Sequence, residues 1–454
     1  MNLLLVVTML VGSFNLCQTL PGNYGMTIDS GDLNRDGKTD LVVGNYSSVY
    51  VYFDSCGHLV AKDSFFNCCQ AVRVCDVNRD GNPDIIAKSI NFPNPAVQVL
   101  LGDGQGNFRV GPSFGEGDAA HFYTADFNGD GIPDLLQCGQ ALTPSVVYLG
   151  QGDGTFQVSQ VFTFADIGNC PSAAIADVNR NGHLAIIFAQ WPENPGKFSQ
   201  VWLGDGLGHF VLGQLLDTIS TTDVACGDLN KDGYPDLVFG HDDWGHAPLT
   251  IWYGDAQGQF TKSSVQLGSY YCHVVRLADI NGDGWLEVIQ GNTGDSGFDT
   301  RTRAYYNHSG SFQDGDTGTV ITFRQARTND LLVGHLDGDS VLYLVQVTWF
   351  DAGGGADSIY IYREAPEAIA EVQEPKVNAY CSVSSNPFRD RLEVRLAMPE
   401  SSPQFLPIRD VTGRQVGEVK IAAGQKTGVY DASKLSAGVY VLATPVGQRK
   451  LVKL

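Results

Sequence analysis

The stretch that decides the fold is Asp32-Leu-Asn-Arg-Asp-Gly-Lys-Thr-Asp40, which returns along the chain at a nearly constant interval. Four more copies keep an acid at positions 1, 5 and 9 and an asparagine at position 3; they span 76–84, 126–134, 228–236 and 279–287. Two further copies, 177–185 and 335–343, have lost some of these acids. The seven first positions are 44 to 56 residues apart. Such a period is typical of an architecture built from repeated supersecondary units.

Each repeat has room for four short strands. In the fifth repeat, four runs rich in β-branched and aromatic residues are separated by turn residues, at Val224–Gly227, Leu237–Phe239, Leu249–Tyr253 and Phe260–Leu267. Four-stranded units repeated radially make a β-propeller, and seven lies within the usual number of blades. The sequence therefore predicts an all-β chain with a seven-bladed propeller over residues 14–364.

A propeller needs its two ends joined, because the last blade must meet the first. The seventh repeat runs into a Pro- and Glu-rich segment before an outermost strand can form. The segment near residues 14–20 precedes the first repeat at the place where an outer strand precedes every other repeat. We expect this segment to complete the last blade; the alternative is a strand from 368–372.

Composition and charge limit the possible partners. The 454 residues include 53 glycines and carry a net charge of −21. From residue 380 onward there are 11 basic and 6 acidic residues, which leaves 18 basic and 44 acidic residues in the rest of the chain. The strongly acidic part of the chain before residue 380 would repel a phosphate backbone, and we expect no nucleic-acid partner. Clustered carboxylates would attract cations instead.

The five intact Asp loops predict calcium sites. Oxygen-bearing side chains at positions 1, 3, 5 and 9, with a main-chain carbonyl at position 7, can surround one Ca²⁺ ion, and glycine at position 6 lets the chain reverse. The turn-forming preference of Asp, Asn and Gly alone explains one loop but not five with the same spacing. The two decayed loops are expected to turn without an ion. The predicted metal-site residues are Asp32, Asn34, Asp36, Lys38, Asp40, Asp76, Asn78, Asp80, Asn82, Asp84, Asp126, Asn128, Asp130, Ile132, Asp134, Asp228, Asn230, Asp232, Tyr234, Asp236, Asp279, Asn281, Asp283, Trp285 and Glu287.

These repeats resemble the FG-GAP/VCBS family of propellers, which includes the integrin α-subunit head. The resemblance covers about residues 14–363 and depends on the Asp-x-Asn-x-Asp-Gly-x-x-Asp loops. It implies that each loop joins the first two strands of a blade on one rim, that ligands meet the opposite rim, and that the calcium is structural.

Several side chains are candidates for ligand binding on that opposite rim. Tryptophan beside acids suits sugar recognition through stacking and hydrogen bonds, although the same residues could pack the core or be solvated. His121 and His273 enter first strands near the axis, and Cys69, Cys170 and Cys272 precede those strands, either as small buried residues or in separate disulfides, with metal binding as a further possibility. The predicted ligand-binding residues are Trp191, Asp242, Asp243, Trp244 and His246, with Glu193, His241, Asp295 and Asp299 nearby.

The two ends of the chain indicate export. Residues 1–13 are apolar and too short for a stable membrane anchor, so they predict a signal peptide. Residues 365–379 form a Pro/Glu/Ala linker, and 380–454 alternate apolar residues with glycine turns, which predicts a small β-sandwich. The motifs Ser385-Asn-Pro-Phe388 and Leu435-Ser-Ala-Gly-Val-Tyr-Val-Leu442 resemble the C-terminal sorting domain of type IX secretion substrates. This resemblance implies interaction with that machinery and a secreted or outer-surface location.

No catalytic motif stands out; Gly294-Asp-Ser-Gly297 echoes a protease nucleophile segment but lacks a partner histidine motif. We therefore expect a calcium-binding propeller that acts in adhesion or in glycan or protein binding, and we expect it to be a monomer. The alternative is a polysaccharide-active enzyme, a lyase or hydrolase on the same scaffold. Lys or Arg beside an acid in an axial pocket would favour the enzyme, and a shallow aromatic patch would favour binding.

Overall fold

The computed structural model divides the chain into two compact units, residues 1–366 and 367–454. The described residues are 14–21, 25–45, 48–55, 58–66, 68–89, 96–140, 143–163, 167, 169–191, 198–216, 220–241, 247–268, 271–293, 300–316, 318–321, 326–336, 341–351, 358–364, 381–383, 391–396, 403–410, 414–435, 438–444 and 447–453. The predicted signal peptide and linker lie outside them.

The first unit is a seven-bladed β-propeller, and each blade is a four-stranded antiparallel sheet. Blades 1 and 2 contain β2 (Gly25–Gly31), β3 (Asp40–Asn45), β4 (Ser48–Asp54), β5 (Leu59–Phe66), β6 (Cys68–Cys75), β7 (Asp84–Ser89), β8 (Val97–Gly102) and β9 (Phe108–Phe114). Blades 3 and 4 contain β10 (Ala119–Ala125), β11 (Asp134–Gly139), β12 (Ser145–Gly150), β13 (Phe156–Phe162), β14 (Ala173–Ala176), β15 (Ala185–Phe188), β16 (Ser199–Gly204) and β17 (Phe210–Leu216). Blades 5 and 6 contain β18 (Thr221–Gly227), β19 (Asp236–His241), β20 (Leu249–Gly254), β21 (Phe260–Leu267), β22 (Cys272–Ala278), β23 (Glu287–Asn292), β24 (Arg303–Tyr305) and β25 (Thr319–Val320). Blade 7 contains β26 (Ala326–Gly334), β27 (Tyr343–Asp351), β28 (Ser358–Glu364) and β1 (Phe14–Pro21).

Burial follows the position of a strand within its blade. Second strands such as β3, β11, β19 and β23 are buried along their whole length, because neighbouring blades cover both of their faces. Outer strands such as β9 alternate between partly buried and exposed residues. The apolar clusters lie between blades: Val99 of blade 2 and Leu135 of blade 3 belong to one cluster. The core is therefore a ring of interfaces between sheets.

The ring is closed by the first strand of the chain, as the sequence predicts. Strand β1 pairs antiparallel with β28, so that Phe14 lies opposite Glu364 and Leu20 opposite Ile359. Phe14 is 1% exposed and packs in the cluster between blades 6 and 7. The alternative closing strand, 368–372, lies outside the described residues. Closure joins segments more than 300 residues apart and makes β1 the outermost strand of blade 7.

The second unit is a small β-sandwich. One sheet has the order β29 (Cys381–Val383), β30 (Arg391–Leu396) and β33 (Thr427–Asp431). The other has the order β32 (Gln415–Ile421), β31 (Gln404–Asp410), β34 (Gly438–Thr444) and β35 (Gly447–Lys453). Leu392 of the first sheet and Leu406 of the second are buried in one shared core, which confirms the predicted sandwich.

In the described part of the chain, no helix has both the length and the apolar character needed to cross a bilayer.

Candidate functional site

Each Asp loop joins the first and second strands of a blade and is shaped by its own side chains. In the first loop, the Asp32 carboxylate accepts the main-chain N–H groups of Asp36 at 3.0 Å and Gly37 at 2.9 Å. Asn34 Oδ1 also accepts Asp36 N–H, and Asp36 Oδ1 accepts Lys38 N–H. Gly37 has φ +84°, a conformation that side chains disfavour. The same side chain to main chain bonds recur in the other intact loops.

The acid at position 9 fastens each loop to the blade. Asp236 is 0% exposed; one of its oxygens accepts Leu229 N–H at 2.8 Å and the other accepts Gly254 N–H at 2.9 Å. Asp40, Asp84 and Asp134 make the equivalent pair of bonds. Burial raises the pKa of these four aspartates to about 6 and that of Glu287 to about 7. Position 9 thus links the loop to the third strand of its own blade.

Hydrogen bonds occupy most of the side-chain oxygens of the Asp loops, and a few oxygens are left without a donor. Asp76 Oδ1 and Asp228 Oδ1, both at position 1, are buried without a hydrogen-bond donor. A buried carboxylate oxygen that lacks a donor is costly, and a cation would relieve that cost. Within the described residues, no group of three or more Asp, Glu, His or Cys side chains converges closely enough to hold a metal ion. Any ion would therefore also need the amide and carbonyl oxygens of positions 3 and 7.

Position 4 of the loops connects one blade to the next. Arg35 has φ +59°, and its Nη2 donates to the carbonyl oxygen of Gly81 in the second loop. The Lys231 ammonium lies 4.0 Å from the centre of the Trp285 ring in the sixth loop. The Arg180 guanidinium lies 5.5 Å above a ring of the fifth loop in the same way. The side chains at position 7 thus pack against cations, a role that the sequence analysis missed.

A cavity of about 550 Å³ lies on the propeller axis, lined by the first strands of the blades. Its lining includes His273 near the start of β22, Gln140 just after β11 and Trp191 just after β15. Because the Asp loops join the ends of first strands to the starts of second strands, the opposite rim holds the starts of first strands and the ends of second strands. The cavity therefore lies toward the rim opposite the Asp loops.

Arg276 of blade 6 is the centre of a charged network in this cavity. Its Nη1 donates to Asp223 Oδ2 of blade 5 at 2.9 Å, and its Nη2 donates to Asp330 Oδ1 of blade 7. The Asp223 and Asp330 side chains are 10% and 6% exposed, whereas the guanidinium side chain is 35% exposed. Three consecutive blades are therefore joined by one ion triad, in which the two acids are buried and the arginine is partly exposed.

The network continues around the axis through the other blades. Ser172 Oγ of blade 4 donates to Asp223 Oδ1 and lies 3.0 Å from the Tyr123 hydroxyl of blade 3. The Arg73 guanidinium of blade 2 lies 5.0 Å from the centre of the Tyr123 ring. Asp29 of blade 1 accepts Val74 N–H of blade 2 at 2.8 Å. Polar contacts thus link each blade to the next, since Asp330 also accepts a main-chain N–H of blade 1 at 3.0 Å.

The cavity has satisfied acceptors and unsatisfied donors. Each oxygen of Asp29, Asp223 and Asp330 accepts at least one protein hydrogen bond. Arg73 donates Nη1 to Val72 O at 2.7 Å, and its Nε and Nη2 have no hydrogen-bond partner among the described residues. Burial lowers the pKa of His121 to about 4, so this imidazole is neutral near pH 7. The cavity therefore offers donors to a ligand.

The structure places some of the predicted ligand-binding residues at the cavity. Trp191 lines it and is 43% exposed, and His121 and His273 also line it. His241 is different: it is 1% exposed and bonds Thr250 Oγ1 at 2.9 Å, so its proposed place on the rim surface was wrong. The candidates that lie outside the described residues are Glu193, Asp242, Asp243, Trp244, His246, Asp295 and Asp299, with the Gly294–Gly297 motif.

The cysteines expected near the axis do not enter the cavity lining. Cys170 and Cys272 are buried, and their sulfur atoms donate to the carbonyl oxygens of Ser172 and Val274, at 3.3 and 3.7 Å. Both therefore act as small core side chains. The side chain of Cys69 lies outside the described residues.

The axial polar residues were missed by sequence reasoning, although a signal exists. Each lies an odd number of residues before position 1 of its Asp loop: three before for Asp29, Arg73, Tyr123 and Arg276, and five before for Ser172, Asp223 and Asp330. Odd offsets place side chains on the same face of a strand. Ionic residues at those offsets, in otherwise apolar strands, could have identified the axis.

The fold and the terminal sandwich define a propeller protein with a C-terminal sorting domain. The FG-GAP-like repeat model matches residues 32–87, 76–136 and 228–289. The model of the secretion system C-terminal sorting domain matches residues 383–454. The chain therefore carries FG-GAP-like repeats on a seven-bladed propeller and a type IX sorting domain. That domain directs the protein to secretion and the outer cell surface, as predicted.

Solved structures support the fold and nothing further. One is titled as BBS1N in complex with ARL6DN, soaked with lead, with a TM-score of 0.53, 9% identity, and coverage of 79% of this chain and 98% of that one. Another is titled as a novel fungal alcohol oxidase of the AA5 family in complex with copper, with a TM-score of 0.51, 12% identity, and coverage of 98% and 100%. No curated protein sequence matches this chain significantly.

Proposed function

We propose that this secreted or surface-attached propeller is a binding protein that is stabilised by about five calcium ions and takes a glycan or protein ligand at the rim opposite its Asp loops. The observation that carries the proposal is the axial cavity of about 550 Å³, which lies toward that rim and has donor groups and an exposed Trp191 in its lining. A concave site with a few polar groups and an aromatic side chain suits a sugar or a small part of a protein.

Calcium is proposed as a structural ion. Five loops repeat three acids at fixed spacing, and two of them bury a position 1 oxygen that lacks a donor. The loops are at the far end of the first strands from the cavity, so the ions would hold adjacent strands together and would not contact a ligand. Because the chain is acidic overall, bound calcium would also stabilise it by reducing the repulsion between its carboxylates.

Counting bound calcium tests this part. The wild-type protein should hold about five ions per chain, and Asp228→Asn should hold one fewer. Asp177→Asn is the matched control, because its loop has already lost acids and should not change the count. Loss of one site should reduce stability by about 2.7 kcal/mol at a calcium concentration 100 times the Kd. Equal counts in wild type and Asp228→Asn, or no bound calcium, would contradict the proposal.

Binding and catalysis are separated by one assay. The purified protein is incubated with a panel of polysaccharides and cell-surface proteins, and both retention and product formation are scored. Retention without turnover is expected. Trp191→Ala should weaken retention of glycans, whereas Phe405→Ala, which replaces an exposed aromatic residue of the sorting domain, should not.

A polysaccharide-active enzyme is the second candidate, because Arg276 stands beside two acids in the axial cavity. However, the oxygens of both acids already accept protein hydrogen bonds, and Arg276 also donates to the carbonyl oxygen of Leu331. Carboxylates engaged in this way brace the blades and are poorly suited to take a proton from a substrate. Product formation in the assay above would favour the enzyme.

A further inference from the structure

The axial cavity has one charged group whose hydrogen-bonding capacity is largely unused. Arg276 uses four of its five N–H donors: Nε donates to Leu331 O, Nη1 to Asp223 and Val275 O, and Nη2 to Asp330. Arg73 uses only Nη1. An arginine presents its donors in a planar fork that matches a carboxylate with two parallel hydrogen bonds. Its free edge, Nε and Nη2, is such a pair.

The neighbours of Arg73 hold the guanidinium in place. Its Nη1 is fixed by Val72 O at 2.7 Å, and its plane lies 5.0 Å from the centre of the Tyr123 ring. The Tyr123 hydroxyl is itself fixed, because it accepts Ala173 N–H at 3.1 Å and contacts Ser172 Oγ. A side chain already immobilised loses little rotamer entropy when it binds a ligand. Arg73 is therefore preorganised.

Burial raises the pKa of Asp29 and the nearby charge of Arg73 partly offsets this rise, so Asp29 is the cavity acid that interacts with Arg73. Asp29, Asp223 and Asp330 bond to main-chain N–H groups of neighbouring strands, and no ion pair within 4 Å joins Arg73 to a described acid. The lining holds three carboxylates and two guanidinium groups, and the carboxylate oxygens already accept hydrogen bonds, so an added acceptor can bind at the free edge of Arg73. A ligand complementary to it carries a carboxylate.

The other lining groups suit a sugar ring better than a peptide. Trp191 presents an indole that is 43% exposed, on which a sugar face can stack. Gln140 and the neutral His121 can bond to hydroxyl groups of a ligand. A cavity of about 550 Å³ has room for one or two sugar residues and not for a folded protein segment.

We propose that the axial cavity binds the acidic sugar residue of a uronic-acid-containing glycan, with the Arg73 fork on its carboxylate and Trp191 against its ring. This inference rests on the proposed binding function and specifies its ligand class. Arg73 is a specificity-determining residue in this scheme, because it separates charged from neutral sugars.

The test uses the full chain, with calcium present, and trimers of galacturonate, glucuronate and mannuronate, each paired with its own methyl ester. The ester keeps the ring and the carbonyl acceptors but removes the charge. By isothermal titration calorimetry, at least one acid should bind wild type ten times more tightly than its ester. Arg73→Gln should abolish that preference, because one good charge-assisted contact contributes about a tenfold difference or more.

Two controls make the result specific. Arg109→Gln removes an exposed arginine from the outer strand β9 and should bind like wild type. Trp191→Ala should weaken the acid and its ester by the same factor, because stacking does not depend on the charge. If Arg73→Gln does not fold, as judged by its thermal midpoint, Arg73→Lys is used; it keeps the charge but loses the fork and should lose most of the preference.

Three outcomes would overturn the inference: equal affinity of wild type for acids and esters, equal weakening of both by Arg73→Gln, or no binding of any trimer. The proposed binding function fails separately. If neutral glycans or surface proteins are still retained by the same preparation, only the ligand class is wrong; if nothing is retained, the binding function is wrong as well.

Discussion

Removal of Arg276 is the most informative change to the scaffold. Arg276→Met keeps an unbranched chain against the strand but leaves two acids, 10% and 6% exposed, without their shared cation. Breaking a buried ion pair by removing one partner costs roughly 3–5 kcal/mol. Because the guanidinium side chain is 35% exposed, water screens part of this interaction, and we expect a loss of about 3 kcal/mol.

This loss converts into a measurable change in thermal stability. An unfolding entropy of roughly 2.1 cal/mol/K per residue over about 350 propeller residues gives about 0.7 kcal/mol/K, so the thermal midpoint should fall by about 4 °C. Scanning calorimetry at fixed calcium concentration measures it. Arg109→Met, on the exposed strand β9, makes the same chemical change without the network and should shift the midpoint by less than about 1 °C. A shift of Arg276→Met no larger than that of Arg109→Met would refute the reasoning.

Three further changes test other parts of the structure. Burial lowers the pKa of His121 to about 4, below the unfolded value of roughly 6.5, so its contribution to stability is present above pH 6.5 and is lost as the pH falls through 4. His121→Gln should therefore lose less thermal stability than wild type between pH 7 and pH 4.5. Asp236→Ala leaves two buried main-chain N–H groups without an acceptor and should lower the free energy of unfolding by about 2–4 kcal/mol, measured in urea with a chelator present. Asp255→Ala, in an exposed hairpin, should lower it by less than about 1 kcal/mol. Similar losses in the two variants would exclude the role of Asp236 in fastening its loop to the blade. A double-mutant cycle of Lys231→Ala with Trp285→Leu should give a coupling of about 0.5–1 kcal/mol, and zero coupling would remove the proposed link between the fifth and sixth loops.

The sequence predicts the scaffold well because its signals are local and repeated. The spacing of the Asp loops determines the number of blades, and the strands of the fifth repeat agree with the structure to within about three residues at each end. Even ring closure follows, since a missing outer strand in one repeat must be supplied by another segment. Each of these inferences needs only a few dozen consecutive residues or one comparison between repeats.

The axial site could not be predicted in the same way. Asp223 and Arg276 are 53 residues apart, and Asp330 is 54 residues beyond Arg276, so their contact depends on how far neighbouring blades rotate about the axis. His241 shows the opposite error: a histidine followed by acids looks like a surface residue, yet the structure buries it against Thr250. Loop-based reasoning concentrated on residues after the second strands, whereas the first strands carry most of the polar lining.

The contrast between repeated and unrepeated positions separates the scaffold from the binding site. Position 9 is an acid in every intact loop, and it makes the same two main-chain bonds in four of them. The position three residues before each loop varies among the blades and holds five residue types: Asp29, Arg73, Tyr123, Ala174, Ala225, Arg276 and Leu332. All of these except Ala174 and Ala225 line the axial cavity. A position that makes the same contacts in several blades has reason to stay the same, but positions that face one asymmetric ligand do not. Variation among the axial residues is therefore what a binding site would require, and Arg73 is the axial residue whose hydrogen-bond donors are left for a ligand.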